Sequence, residues 1–136
     1  MAAPQIRDAQ LSVTKALPNG AATIYTGGID LGHGANGDHL ATCELYIEAP
    51  ALVVGDLANG ETVKYSIQHD TNSAFGSATS VEDDVLTQTG AGGAGAVAAT
   101  KRFRLPVDVK RYVRVKAVNS GAGDASDKSV TVSLLM

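Results

Sequence analysis

Apolar and polar residues alternate along Leu45-Tyr46-Ile47, Val63-Lys64-Tyr65-Ser66-Ile67, Val113-Arg114-Val115-Lys116-Ala117 and Val130-Thr131-Val132-Ser133-Leu134. Successive side chains of a strand leave on opposite sides, so this period of two predicts half-buried β-strands. Val63, Tyr65, Ile67, Val113, Val115, Val130, Val132 and Leu134 form the inward set. Further strands are expected near 10–17, 22–26, 84–88 and 99–105. Turn chemistry separates these stretches: Pro18-Asn19-Gly20, Gly27-Gly28, Asn36-Gly37-Asp38, Asn59-Gly60, Asp70-Thr71-Asn72-Ser73, Pro106-Val107-Asp108 and Asn119-Ser120-Gly121. Asn-Gly, which occurs three times, tolerates the positive φ of tight hairpin turns. The best helical stretch, Ala94 to Lys101, is short, follows glycine and lacks an apolar stripe. About eight strands with a turn roughly every ten residues predict an all-β fold, a jelly-roll-like antiparallel β-sandwich.

The 136 residues suit one domain over 1–136, with 1–10 as an extended N-terminal arm. With 44% hydrophobic but 4% aromatic residues and no Trp, the core has to be aliphatic. Cys43 stands alone, which rules out an internal disulfide and any cysteine metal cluster. The opening MAAPQIRDAQ has neither a basic nor an apolar leader segment, and no stretch approaches the roughly 18 apolar residues of a membrane helix. The expectation is a chain made in a cytoplasm, with no membrane partner. A net charge of −3 gives nucleic acid no general attraction.

Gly90-Ala91-Gly92-Gly93-Ala94-Gly95 has the spacing G-x-G-x-x-G. In a dinucleotide site those glycines join a strand to a helix whose amides hold a pyrophosphate. Here the strand-like Lys101-Arg102-Phe103-Arg104-Leu105 follows within a few residues and Pro106 ends it, which leaves no room for the helix. The stretch reads as a mobile β-β connection in which the small residues carry no steric role. His33, Asp38 and His39 lie in one Gly- and Asn-rich segment and are candidates for a divalent metal or acid-base work, but their spacing fits no metal motif. His69-Asp70 is a strand end running into a turn. The reading is a non-enzyme with no cofactor and no metal.

Seven of the 11 Lys and Arg residues fall between 101 and 116, with Asp108 the one acid among them. If 101–105 and 111–118 paired as a hairpin, Arg102, Arg104, Arg114 and Lys116 would share a face, because alternate residues point the same way. These four are the candidate partner-binding residues, suited to an acidic protein partner. Aromatic stacking groups for nucleic acid are nearly absent around them. Tyr25, Tyr46, Tyr65, Tyr112, Phe75 and Phe103 are all that could furnish an aromatic binding face.

Two resemblances stand on particular residues. The run from Leu105 through Tyr112-Val-Arg-Val-Lys-Ala-Val-Asn119 is similar to the end of a fibronectin type III module, although such modules are shorter and carry a core Trp. Ile29-Asp30-Leu31-Gly32, Leu45-Tyr46-Ile47-Glu48, Thr62-Val63-Lys64-Tyr65-Ser66-Ile67-Gln68-His69-Asp70, the Ala/Gly-rich middle, Phe103-Arg104-Leu105-Pro106 and Arg111-Tyr112-Val113-Arg114-Val115 together resemble the capsid cement proteins of short-tailed bacteriophages. That resemblance spans nearly the whole chain through the order of its motifs. It implies a small jelly roll, dimeric, on the outside of a phage head, with the major capsid protein as partner. The alternative is a fibronectin-III-like or carbohydrate- or protein-binding β-sandwich module.

Overall fold

The computed structural model describes residues 7–31, 44–106 and 108–135. Nine strands follow one another: β1 (Arg7–Ala16), β2 (Thr23–Tyr25), β3 (Ile29–Asp30), β4 (Glu44–Ala49), β5 (Thr62–Asp70), β6 (Thr79–Thr89), β7 (Ala99–Arg104), β8 (Tyr112–Asn119) and β9 (Ser129–Leu135). No helix occurs among the described residues. The strands form two antiparallel sheets. The first runs β1-β9-β4-β7; the second runs β2-β8-β5-β6, with β3 also paired to β8. The chain passes repeatedly between the sheets, which is the interleaving of a jelly roll.

The alternation in the sequence is the alternation in space. Burial along β8 switches strictly between half-buried and buried, and β4 does the same. All eight residues expected to point inward are buried, seven of them with no exposed surface and Leu134 at 3%. Leu45 and Ile47 join them from β4. Each such aliphatic side chain contributes about 1.5–3 kcal/mol on leaving water.

Strand β1 begins at Arg7, inside the segment expected to be an arm, and residues 1–6 lie outside the described residues. The stretch Ala94 to Lys101, which lacks the features of a helix, runs through a bridge at Ala96 into β7, the strand expected near 99–105. The larger correction concerns 101–118. Strands β7 and β8 are not a hairpin: β7 pairs with β4 in the first sheet, and β8 pairs with β5 in the second. The connection between them carries Leu105 and Val109, each 1% exposed. A tight surface turn leaves its residues in water, whereas a link that crosses the end of a sandwich buries its apolar members in the core.

Candidate functional site

Because β7 and β8 belong to different sheets, the four candidate cations do not share a face. Arg102 and Arg104 lie on the outer side of the first sheet, opposite Tyr46 and Glu44 of β4. Arg102 Nη2 donates to Glu44 Oε1 at 3.3 Å, an exposed pair that contributes at most about 1 kcal/mol. Ser12 and Ser133, then Thr14 and Thr131, pair their hydroxyls on neighbouring strands of the same sheet. With Glu44 and Glu48 beside the arginines, this face is of mixed charge.

Arg114 and Lys116 lie on the outer side of the second sheet, opposite Gln68 and Ser66 of β5, and Lys64 stands one step further along β5. Tyr25 of β2 is the partner of Lys116 across the other side of β8. The Arg114 guanidinium packs against two rings at once, 4.0 Å from the Tyr25 centroid and 4.4 Å from the Phe75 centroid. Its Nε donates to Gln68 Oε1 at 2.9 Å. Tyr25 is 42% exposed, so the cluster opens to solvent.

Phe75 arrives there from the β5–β6 loop, which is folded tightly on itself. Asp70 Oδ1 accepts from Asn72 N at 3.2 Å and Asp70 Oδ2 from Ser77 N at 2.8 Å. Asn72 Oδ1 accepts from Ala74 N at 2.8 Å. Those amides, Ser77 first, hold the Asp70 carboxyl below the usual carboxylate range. Phe75 itself sits at φ 55°, a left-handed conformation that a bulky residue rarely adopts. Its ring lies over Gly28, where a methyl group would come within 2.7 Å of Phe75 Cε2. Next to this loop, His69 Nδ1 accepts from Lys110 N at 3.1 Å. Burial, then the Lys110 ammonium, pushes the imidazole pKa down, against the opposing pull of Asp108 and Asp70.

The glycine stretch is a β-β connection, as expected, but its glycines have a steric role. Gly60 N donates to Gly90 O, Gly90 N to Glu61 O, and Gly93 N to Asn59 Oδ1. Leu52 and Ala96 exchange both backbone bonds, at 2.8 and 2.9 Å. Gly90 and Gly95 are buried, and a Cβ on either would stand about 2 Å from the carbonyl oxygen of Ala58 or Leu52. The buried Gln88 adds two bonds from Nε2, to Pro50 O at 2.7 Å and Val97 O at 3.0 Å, and accepts from the Tyr65 hydroxyl at 2.7 Å. Burial pushes the Tyr65 pKa up, so this phenol stays a donor. A hollow of about 540 Å³ lies between the two loops, lined by Ala51, Leu52, Val53, Ala94 and Val97. The lining is aliphatic apart from Thr89, and no charged group converges there.

His33, Asp38 and His39 lie outside the described residues. Among the described residues, no three His, Cys, Asp or Glu side chains gather as a metal site would require. Tyr25, Phe75 and Gln68 are the members of the Arg114 cluster that the charge pattern missed. One signal was present, since Phe75 is the sole large apolar residue in the polar stretch Asp70-Thr-Asn-Ser-Ala-Phe-Gly-Ser77.

Fold and surface together define a jelly-roll β-sandwich with an arginine-bearing outer face on each sheet. No protein family and no curated protein matches the chain. Among solved structures it is similar to the PBSX exported protein XepA, with 17% identity and a TM-score of 0.50 over 90% of this chain. The chain spans 36% of the length of that protein. It is also similar to the CBM32 of AlyQ in complex with 4,5-unsaturated mannuronic acid, at 18% identity and a TM-score of 0.39, covering 96% of this chain and 88% of that one. A third likeness is to the Cowpea Mosaic Virus empty virus-like particle, at 7% identity and a TM-score of 0.45, covering 98% and 80%. The likeness to XepA, at 17% identity, is one of fold.

Proposed function

We propose that this chain is a non-catalytic structural protein of a bacteriophage head, a cement or decoration protein on the capsid exterior that bridges subunits of the major capsid protein as a homodimer. The jelly roll by itself leaves the matter open, since viral capsid domains and lectins both use it. The observation that carries the reading is the division of the four cations between opposite outer faces: Arg102 and Arg104 on the first sheet, Arg114 and Lys116 on the second. A protein that ties two neighbours together needs two surfaces pointing apart, whereas one that binds a single ligand needs one. Contacts repeated over many copies sum by multivalency, so each can be weak. Separating capsid subunits would then also require breaking the cement contacts.

The test mixes the purified protein with heads that lack it and measures occupancy and the temperature at which heads release DNA. The parent should fill many sites and raise the release temperature. Occupancy by the parent should fall as salt rises; Arg102→Ala with Arg104→Ala, or Arg114→Ala with Lys116→Ala, should lower occupancy at low salt and make it less sensitive to salt, and each should lose the protection against release. Removing residues 1–6 leaves β1 whole and tests the arm separately. Failure of the intact protein to associate with heads removes the proposal. Tyr25 and Arg114 also favour the alternative of a carbohydrate-binding module, because a ring beside a guanidinium suits an acidic sugar. Saturable glycan binding without head binding would establish that alternative.

A further inference from the structure

We propose that Arg114 is a preset receptor for carboxylates, and that its occupant is an extended acidic segment of a partner protein. The inference rests on reading the outer face of the second sheet as an interface, but not on the partner being a capsid subunit.

Three observations converge on this face. The first is orientation. Arg114 Nε is taken by Gln68 Oε1, and both flanking rings hold the guanidinium plane. Among the described residues no acceptor meets its Nη groups, so these are what it offers to a carboxylate, in the fork geometry that arginine supplies and lysine does not. The second is sign. Lys116 and Lys64 stand on the same face, while Asp70, the carboxylate at its far end, is occupied by the amides of Asn72 and Ser77. Asp30 of β3, across from Tyr112, is held by Arg111, and the acids Glu82 to Asp84 stand on the edge strand β6, so the cationic part is the centre of the face, around Arg114, Lys116 and Lys64. Alternate residues of a strand lie about 7 Å apart, so Arg114 and Lys116 match carboxylates at alternate positions of an extended partner.

The third observation is the cost of the arrangement. Phe75 is held at φ 55°, in a loop fixed by Asp70 and Asn72, over a glycine that leaves room for its ring. Backbone strain of this kind persists where the surroundings over-determine it, and it collects at binding sites. Here two separate segments are shaped so that one ring can brace one guanidinium. A protein occupant fits better than a sugar. Arg114 already covers one face of each ring, and Arg and Tyr together are typical anchors of protein interfaces.

The probe is a fluorescent peptide of alternating Glu and Thr, titrated into the full chain at low salt and followed by polarisation. A peptide with Gln for Glu and an oligomannuronate serve as comparison ligands. Saturable binding of the acidic peptide is expected, weakening as salt rises and absent for the Gln peptide. Arg114→Lys, which keeps the charge but loses the fork, should weaken binding at least about tenfold. Gly28→Ala, which displaces the Phe75 ring, should weaken it several-fold while the melting temperature stays near that of the parent. Equal affinity in Arg114→Lys, or no saturable binding of the acidic peptide, overturns the inference. So does tighter, Arg114-dependent binding of the oligomannuronate, which makes this a sugar site. Head binding together with peptide affinity unchanged in Arg114→Lys removes this inference and leaves the capsid reading standing; Arg114-dependent peptide binding without head binding does the reverse.

Discussion

Gly95→Ala is the sharpest test of the loop that joins β6 to β7. Gly95 has φ +72°, and a Cβ there would lie 2.0 Å from Leu52 O and 2.6 Å from Val53 C. The left-handed conformation alone costs an alanine about 1–2 kcal/mol. Relieving the overlap also requires Leu52 and Ala96 to part, and their two reciprocal bonds contribute about 1 kcal/mol each. Leu52, 2% exposed, would lose some packing as its backbone withdraws. The total is about 4 kcal/mol. An unfolding entropy of about 2.1 cal/mol/K per residue over 136 residues converts this to a fall of about 14 °C in melting temperature. Gly92→Ala is the internal control, because Gly92 also has positive φ, +63°, but nothing lies within 4 Å of its Cβ position. It should cost the conformational part alone, about 1–2 kcal/mol. Thermal melts of both variants decide the matter. Equal melting temperatures would refute the steric argument and return the stretch to the status of a passive connection.

The remaining predictions concern the core and acid stability. Val115→Asp places a carboxylate opposite Ile67 with no solvent access, so it should cost several kcal/mol and abolish the cooperative melt; a melt within a degree or two of the parent would contradict the inward assignment of β8. Tyr65→Phe leaves Gln88 Oε1 without its buried donor and should cost about 1–2 kcal/mol, read by the same melt. His69 has a pKa below its ordinary value, so the folded state favours neutral imidazole, and its contribution is present above the unfolded pKa and lost as pH falls below about 6.5. Protonation also removes the acceptor for Lys110 N, and His69→Gln should flatten that limb of the stability curve. Asp70, likewise depressed, should add a second loss at lower pH, once acid protonates its carboxyl, and Asp70→Asn should shrink that second limb while enlarging the first, because Asp70 draws the His69 pKa up.

What the sequence revealed and what it hid divide along a physical line. Alternation is a local property, and it located β5, β8 and β9 together with their inward faces, because one side of each must leave water whatever the topology. Sheet membership is not local. The basic stretch looked like a hairpin because Lys101 to Leu105 and Arg111 to Val118 are close in sequence, yet Leu105, which ends the first run, and Val109 in the link are core residues. Aliphatics on both sides of the turn Pro106-Val107-Asp108 were the signal that the chain crosses from one sheet to the other. The β6 irregularity was equally hidden. Asp84 stands at φ 51° with its amide bonded to Ser66 Oγ, a bulge that the polar run Glu82-Asp83-Asp84 does not announce.

The glycines and the Arg114 cluster were missed for the same reason. Each owes its form to a residue far away in the chain: Gly95 to the carbonyl of Leu52, Gly90 to that of Ala58, and Arg114 to Tyr25 and Phe75. A run rich in Gly and Ala is compatible with flexibility and with close backbone approach alike, and only the facing element chooses between them. Charge counting behaved in the same way. It found the cations but could not say which way they point. The crossing between β7 and β8 replaces one imagined basic face by two pairs of cations on opposite sides of a sandwich. The proposed bridging of two partners rests on that division, and the same crossing brings Arg114, but not Arg102 or Arg104, within reach of the rings that brace it.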